Sequence, residues 1–351
     1  MPFRLLVPFL LAALGHAQTD LERDVTQLLE AKIAADRIPG LSCAVVGGDQ
    51  LLYSRGFGLS DVENDVPATE HTVYRLASIS KPVAAVLALQ LAEQGRLDLD
   101  RDVHGLVEEW PKKRWPVTTR QLLGHLGGVR HYLREGESTR HYPNQRQGLE
   151  RFASDPLLHE PGSKYRYSTY GFNLVAAVVE TVHDRSFASV LAKHIAAPSG
   201  APSLQDDDQR RIIRHRAQGY VLRGGRLQNS QLMDSSYKLG GGGLCSSAPD
   251  LARFAQALMA GRLVSDETLA TMWTSQRTSD GEATGYGMGF TVRELGGEPL
   301  IGHSGAQSRV STMLLMLPER RIGVVVMCNL ERVKLGDVTR RILTRVRKEA
   351  N

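Results

Sequence analysis

The sequence predicts a mixed α/β (α+β) fold in which helices flank one antiparallel sheet and a mostly helical lobe is inserted into it. Two apolar, β-rich runs, LSCAVV and LLYSRGFG, lie near the N-terminus, and several more fill the last third of the chain. Strands at both ends, with helices between them, place the two termini in one sheet. The predicted sheet lobe covers about residues 18–77 and 235–351, and the predicted helical lobe covers about 78–234. A cleft is expected between the lobes.

The first residues have the pattern of a secretory signal peptide. Arg4 precedes an apolar run at 5–14, and the small residues Gly15 and Ala17 follow it. This layout predicts a signal peptide at 1–17 and a mature chain outside the cytoplasm, either periplasmic or secreted. A membrane anchor is less favoured because the apolar run is shorter than the roughly 20 residues of a spanning helix, so no stable membrane insertion is expected after cleavage. A mitochondrial presequence is less favoured because it would be richer in arginine.

The next segment predicts an amphipathic helix followed by a β-hairpin. Thr19 and Glu22 have the spacing of a capping box. Apolar residues then recur on one helical face: Leu21, Val25, Leu28, Leu29 and Ile33. The two β-rich runs that follow are separated by Gly47, Gly48 and Asp49, which is a hairpin signal.

The rest of the chain alternates between helical and strand patterns. Residues 78–200 are mostly helix and loop, and 134–151 is polar, charged and without periodicity, which predicts an exposed loop. A Gly-Gly turn at 224–225 predicts a second hairpin. A helix is predicted at 248–259. The final strands are predicted in YGMGFTVREL, EPLIGHSG, STMLLMLP and RIGVVVMCN, before a closing helix at 337–348.

Charge and cysteine content narrow the classes of function. The formal net charge is +5, but the basic residues are spread along the chain and no nucleic-acid-reading motif accompanies them, so no nucleic-acid partner is expected. Cys43, Cys245 and Cys328 lie far apart and lack metal-ligand spacing. Buried free thiols are favoured, and a bridge between Cys43 and Cys328 stays open if their strands are neighbours.

Ser78 and Lys81 are the first candidates for chemistry. Pro82 is tolerated only in the first turn of a helix, so it fixes a helix start near Ser78. Residues three apart lie on one helical face, so the Ser78 hydroxyl and the Lys81 amine become neighbours. The free N–H groups of a helix N-terminus also favour a developing negative charge.

Lys81 must lose its proton near neutral pH to act as a base, whereas the unperturbed pKa of lysine is about 10.4. Burial lowers the pKa of an amine, and the neighbours of Lys81 are apolar: Val73, Leu76, Val83 and Val86. Lys81 could then activate Ser78. On these features alone, a capping serine beside a solvent-reaching lysine is the alternative. A second Ser-x-x-Lys, from Ser235 to Lys238, runs into four glycines, which disfavour a helix.

Two later stretches add candidate groups. Several tyrosines precede an apolar helix in PGSKYRYSTYGFNLVAAVVE, and a phenol beside a lysine can serve as a shared base. Aromatic packing is the alternative, above all for Tyr165 and Tyr170. In LIGHSGAQSRVS, His303 and Ser304 lie on a predicted strand, and Gly305 would let a substrate approach the backbone closely.

The motifs SISK at 78–81, YST at 167–169 and HSG at 303–305 occur in one order and at characteristic separations. With them, the chain resembles the serine β-lactamase-like family, which groups class C β-lactamases, D-alanyl-D-alanine carboxypeptidases and related esterases. Its mitochondrial branch is the most similar, through blocks such as VTTRQLLGHLGGVRHY and DSSYKLGGGGL. The resemblance implies a β-lactamase/transpeptidase-like fold and a site with no metal or organic cofactor.

The resemblance also assigns roles. Ser78 would be the nucleophile, Lys81 its activating partner, and Tyr167 the second base that passes the proton to the leaving group. The backbone N–H groups of Ser78 and Ala306 would form the oxyanion hole. The implied substrate-binding residues are Thr169, His303, Ser304 and Gly305.

Two departures from the family pattern bear on the substrate. Thr169 stands where many members have asparagine, which removes an amide. His303 stands where β-lactamases have lysine, so a fixed cation becomes a group mostly neutral at pH 7. The sequence therefore predicts a serine hydrolase that forms an acyl-enzyme on peptide or ester substrates, with β-lactams less favoured. The alternative is a catalytically weak or inactive penicillin-binding-like protein with a binding or filament-scaffold role, which self-association would serve.

Overall fold

The structure, a computed structural model, describes residues 19–132 and 139–349. The strands are β1 (Gly40–Gly47), β2 (Gln50–Asp61), β3 (Val66–Pro67), β4 (Val73–Arg75), β5 (Gln205–Asp206), β6 (Tyr220–Arg223), β7 (Arg226–Asn229), β8 (Leu244–Ser247), β9 (Thr291–Leu295), β10 (Glu298–Gln307), β11 (Val310–Leu317) and β12 (Ile322–Cys328). The α-helices are α1 (Asp20–Asp36), α2 (Ser80–Glu93), α3 (Thr119–Leu123), α4 (Gln145–Gly148), α5 (Thr169–His183), α6 (Phe187–Leu191), α7 (Ala197–Ser199), α8 (Leu239–Gly242), α9 (Ala248–Met259), α10 (Asp266–Met272) and α11 (Gly336–Glu349). The predicted signal peptide lies outside the described residues.

The main sheet is antiparallel and joins the two ends of the chain. Its strand order is β3-β2-β1-β12-β11-β10-β9, and Leu41 of β1 lies opposite Cys328 of β12. The predicted antiparallel sheet with flanking helices is therefore confirmed. The division into two lobes at residues 78 and 235 stays a prediction.

Helices cover both faces of this sheet. Alternate residues of β1 enter two different apolar clusters, with Ala44 and Val46 on one face and Cys43 and Val45 on the other. Helix α9 packs against β1 and β12 on the first face, whereas α1 and α11 close the second. Because both faces are buried, the central strands are continuous apolar runs, as buried strands require.

Helix α2 lies at the centre of the helical side. Nearly all of its residues are buried, as expected for a helix that is apolar on all sides. It packs against α5 and α8, and the 3₁₀ turn that precedes it, Ala77–Ile79, packs against β10 and β11. This turn therefore lies where the helical side meets the sheet.

The loop predicted at 134–151 is only partly a loop. Residues 133–138 lie outside the described residues, but α4 and a 3₁₀ turn follow, and Tyr142 and Leu149 are buried. Gln145 is buried as well, and its amide bonds the backbone of Ser236 and of Leu239 at 2.7 and 2.8 Å. A polar side chain that satisfies buried backbone groups looks like a surface residue in the sequence, so this prediction was wrong beyond residue 141.

Three of the four glycines that follow Leu239, Gly240 to Gly242, do lie in a helical turn, α8, which contradicts the expectation that they would oppose any helix. A Cβ on Gly240 would lie 2.6 Å from the Phe172 carbonyl oxygen, and one on Gly241 would lie 2.4 Å from Asn173 Oδ1. The glycines therefore let α8 pack directly on α5. Close packing outweighs their low helix propensity.

Several local predictions from the sequence agree with the structure, and others do not. The hairpins at Gly47–Asp49 and Gly224–Gly225, the helix at 248–259 and the capping box of α1 are confirmed. The predicted strand YGMGFTVREL is wrong in its first half, because β9 begins at Thr291 and Gly289 has a φ of +84°. All three cysteines are buried and free, and Leu41 rather than Cys43 faces Cys328, so no disulfide forms.

No helix among the described residues is long and apolar enough to cross a membrane. No group of His, Cys, Asp or Glu side chains within 19–132 and 139–349 has an arrangement that could hold a metal ion.

Candidate active site

Ser78 lies in the 3₁₀ turn just before α2, and Pro82 occupies the first turn of that helix, as predicted from its missing N–H. The spacing of three residues brings Lys81 Nζ to 2.9 Å from Ser78 Oγ. Ala77, which precedes the serine, has a φ of +48°, a left-handed conformation that is uncommon for a residue with a side chain. The serine thus stands on a strained turn at the junction of the sheet and the helices.

Lys81 is buried and surrounded by acceptors. Its Nζ lies 2.7 Å from the Gly241 carbonyl oxygen and 3.2 Å from Thr169 Oγ1. Burial lowers the pKa of Lys81 well below its usual value, and the nearby charge of Lys238 lowers it further. A neutral amine can donate its two protons to these two oxygens while its lone pair accepts the Ser78 hydroxyl proton. This is the arrangement that a general base for Ser78 requires.

Tyr167 lies beside both groups. The Lys81 amine is 4.8 Å from the centroid of the Tyr167 ring. Burial raises the pKa of the Tyr167 phenol, and a hydrogen bond with the Ser78 side chain partly offsets that effect. Tyr167 immediately precedes Ser168, which caps α5 by accepting a 2.9 Å hydrogen bond from the Gly171 N–H. The sequence-predicted trio of hydroxyl, amine and phenol is therefore brought together.

His303 is held neutral on β10. Its Nδ1–H donates to the Ser304 carbonyl oxygen at 2.6 Å, so its Nε2 accepts from the Tyr286 hydroxyl at 3.0 Å. Burial lowers the pKa of His303 to about 3, with a further contribution from the charge of Lys81. This histidine therefore supplies no cation at neutral pH, and both ring nitrogens already have partners.

Strand β10 closely approaches the 3₁₀ turn that carries Ser78. A Cβ on Gly305 would lie 2.3 Å from the Leu76 carbonyl oxygen. Thr312 on the neighbouring strand donates a 3.0 Å hydrogen bond to that same carbonyl. Gly305 is thus required for the contact between strand and turn, which brings Ala306 and Ser78 to the same cavity.

That cavity has a volume of about 310 Å³. The sequence-predicted residues that line it are Ser78, Tyr167, Thr169, His303, Ser304 and Ala306. Lys81 and Gly305 lie behind its wall, where the amine and the strand backbone support the lining groups. Its size suits a small substrate or one segment of a peptide.

The lining residues that sequence reasoning missed include His131, Lys238 and Tyr286. His131 Nδ1 accepts a 3.0 Å hydrogen bond from the Thr169 N–H, and burial lowers the pKa of His131 to about 4, so its proton is on Nε2. Lys238 is buried and belongs to the Ser-x-x-Lys copy that the sequence set aside because of its glycines. Tyr286 reaches the site from a segment that the sequence predicted as strand.

The fold and this site define a member of the β-lactamase and penicillin-binding-like serine hydrolase fold family. The family model described as Beta-lactamase matches residues 25–346, and the chain belongs to that family.

Among curated proteins, the chain is similar to the human "Serine beta-lactamase-like protein LACTB, mitochondrial", with 28% identity over 431 aligned positions that span 91% of this chain and 78% of that protein. Among solved structures, it is similar to the octameric penicillin-binding protein homologue from Pyrococcus abyssi, with 26% identity, a TM-score of 0.82, and coverage of 94% of this chain and 78% of that one. The D-amino acid amidase from Ochrobactrum anthropi SV3, at 21% identity and a TM-score of 0.81, covers 95% of this chain and 100% of its own and supports the fold alone.

Proposed function

We propose that this protein is a serine hydrolase that forms an acyl-enzyme at Ser78 and acts on peptide or ester substrates. The observation that carries the proposal is the 2.9 Å distance between Ser78 Oγ and a buried Lys81 amine whose pKa is lowered. A lowered pKa provides the neutral amine that can take up the hydroxyl proton as the bond to the substrate forms.

The proposed reaction has two halves. Ser78 Oγ attacks the substrate carbonyl carbon while its proton passes to Lys81, and the resulting oxyanion is stabilised by the N–H groups of Ser78 and Ala306. Tyr167 relays a proton to the leaving nitrogen or oxygen, whose bond to the carbonyl carbon breaks. Water then attacks the acyl carbon and gives a proton to the Lys81 and Tyr167 pair. The bond between that carbon and Ser78 Oγ breaks, Ser78 Oγ takes the proton back from the pair, and the acid leaves.

The environment of His303 supports peptide or ester substrates over β-lactams. A neutral imidazole with both nitrogens engaged supplies no positive charge for the carboxylate of a penicillin. Thr169 and His131 supply a hydroxyl and an imidazole N–H instead. These neutral groups suit an amide or ester without an adjoining carboxylate on the His303 side.

A serine-reactive fluorophosphonate tests the proposal. We expect one adduct, mapped by mass to Ser78, that is lost in Ser78→Ala and slowed in Lys81→Met. The matched control is Ser235→Ala, which removes the serine of the second Ser-x-x-Lys copy and should leave labelling unchanged. A panel of chromogenic esters, D- and L-amino acid anilides and a chromogenic cephalosporin then ranks substrates. An adduct that persists in Ser78→Ala would contradict the proposal.

We also propose self-association, which is supported by the octameric state of the penicillin-binding protein homologue from Pyrococcus abyssi. Self-association would serve the alternative function as a binding or filament-scaffold protein, and this homologue supports that part of the alternative. Light scattering after size exclusion measures the mass of the wild type and of Ser78→Ala. We expect an oligomer that does not depend on Ser78, and a monomer at all concentrations would refute the expectation.

Export from the cytoplasm is proposed on the pattern of residues 1–17 alone, which lie outside the described residues. N-terminal sequencing of the protein recovered from its host tests it. A mature chain that starts at Gln18 in the periplasm or medium is expected, and an intact Met1 in the cytoplasm would contradict it.

A further inference from the structure

His125 occupies the turn that ends α3, in a backbone conformation that usually selects glycine. Its φ is +60°, and the Leu126 N–H donates back to the Gln121 carbonyl oxygen at 2.7 Å, which closes the helix. Helices commonly end on such a left-handed residue, and it is most often glycine. A histidine there is a less favourable choice for the turn itself, so its side chain calls for another explanation.

The His125 residue holds the backbone on both sides of Tyr167. Its carbonyl oxygen accepts a 2.9 Å hydrogen bond from the Arg166 N–H, and its ring Nδ1 accepts a 3.1 Å hydrogen bond from the Ser168 N–H. The residue before Tyr167 and the residue after it are therefore both fixed to His125. The segment after Tyr167 is held further by the Ser168 hydroxyl, which donates to the Arg130 carbonyl oxygen at 2.8 Å.

The His125 ring also packs against the phenol that it brackets. Its centroid lies 4.3 Å from that of Tyr167 and 4.5 Å from that of Tyr286. Because Nδ1 accepts from Ser168, the proton of the neutral ring is on Nε2, and this atom is buried without a hydrogen-bond partner among the described residues. The His125 ring therefore acts through its Nδ1 acceptor, which holds Ser168, and through its faces, which pack against Tyr167 and Tyr286.

We propose that His125 is a positioning residue that holds the Tyr167 phenol at Ser78. The proposal rests on the proposed function, in which Tyr167 relays the proton. It requires that the loss of His125 act on the rate through Tyr167, and not through general destabilisation. A displacement of about 1 Å in a reacting group can lower a rate about 10²-fold.

Two substitutions separate the turn from the side chain. His125→Gly suits the left-handed backbone and removes the ring and its acceptor. His125→Asn also tolerates that backbone, and it retains an oxygen near the place of Nδ1 for the Ser168 N–H. Each is made in the wild type and in Tyr167→Phe, with kcat and KM measured on one chromogenic ester and the midpoint of thermal unfolding recorded.

We expect His125→Gly to lower kcat about 10- to 100-fold with little change in KM, and His125→Asn to recover part of that loss. In the Tyr167→Phe background, neither substitution should lower kcat further, because the hydroxyl that His125 positions is already absent. An equal loss of kcat in both backgrounds, or full activity of His125→Gly, overturns the inference.

The design keeps this inference separate from the proposed function. If Tyr167→Phe lowers kcat and fluorophosphonate still labels Ser78, the proposed function stands whatever His125 does. If Tyr167→Phe has no effect on kcat, the proton relay is wrong and the positioning role is lost with it. If His125→Gly does not fold, the comparison of His125→Asn in the two backgrounds decides.

Discussion

Gly305→Ala tests the closest contact in the site. The added methyl would lie 2.3 Å from the Leu76 carbonyl oxygen and 2.1 Å from Thr312 Oγ1. Real Cβ atoms essentially never approach other atoms within 3.0 Å. Strand β10 and the turn that carries Ser78 must therefore separate by about 0.7 Å to relieve the contact with Leu76. Thr312 must also give up its hydrogen bond to Leu76.

Two effects of different size follow from this separation. Overpacking costs about 1–3 kcal/mol and the lost hydrogen bond about 1 kcal/mol, so the free energy of unfolding should fall by about 2–4 kcal/mol. Movement of Ala306 away from Ser78 should slow acylation about 10²-fold, because oxyanion donors act only at close range.

The assay is the rate of fluorophosphonate labelling at Ser78 and of ester hydrolysis, measured at a temperature where urea unfolding shows the variant to be folded. The control is Gly105→Ala, where the new methyl would lie 3.4 Å from the end of the flexible Arg101 side chain. Normal stability and a normal labelling rate in Gly305→Ala would refute the contact between strand and turn as the basis of the oxyanion hole.

Three further predictions use other parts of the molecule. Lys238→Met removes a charge that lowers the pKa of Lys81; that pKa should rise, and the acid limb of the pH profile of kcat/KM should move to higher pH, whereas Lys238→Arg should leave it in place. Asp207→Asn removes the negative charge of a carboxylate that lies 2.6 Å from the buried Arg75 guanidinium. The free energy of unfolding, measured with denaturant, should fall by about 3–5 kcal/mol. The control is the exposed Asp49→Asn, which should cost about 1 kcal/mol or less. The three buried thiols, whose pKa values burial raises, should react with a thiol reagent only after denaturation; reaction in the native state would contradict their burial.

The parts of the site that the residues themselves predicted are those encoded by local spacing, whereas the roles of Tyr167, Thr169 and Ala306 were expected only from the resemblance to the family. Ser78 and Lys81 are neighbours because of a three-residue helical interval and a proline that fixes its start. His303 lies on a strand that periodicity and flanking glycines mark. These predictions agree with the structure because each depends on residues within one turn, helix or strand.

The residues that were missed depend on contacts between elements. Lys238 reaches the cavity because glycines let α8 pack on α5, and the sequence shows only that those glycines disfavour a helix. His125 stands in a turn with no periodicity, and Tyr286 lies in a segment whose pattern predicted a strand, so tertiary packing alone brings their rings against Tyr167. Gln145 looks like a surface residue until its buried backbone partners are known.

The pairing of β1 with β12 determines when the main sheet can form during synthesis. The turn that carries Ser78 is made early, but the centre of the main sheet joins β1 to β12. Such distant pairing slows folding, because a long loop must close before β1 and β12 can meet. A nascent chain that lacks β10 to β12 also lacks the strand that faces Ser78, so we expect the cavity beside Ser78 to form only after these strands have been made.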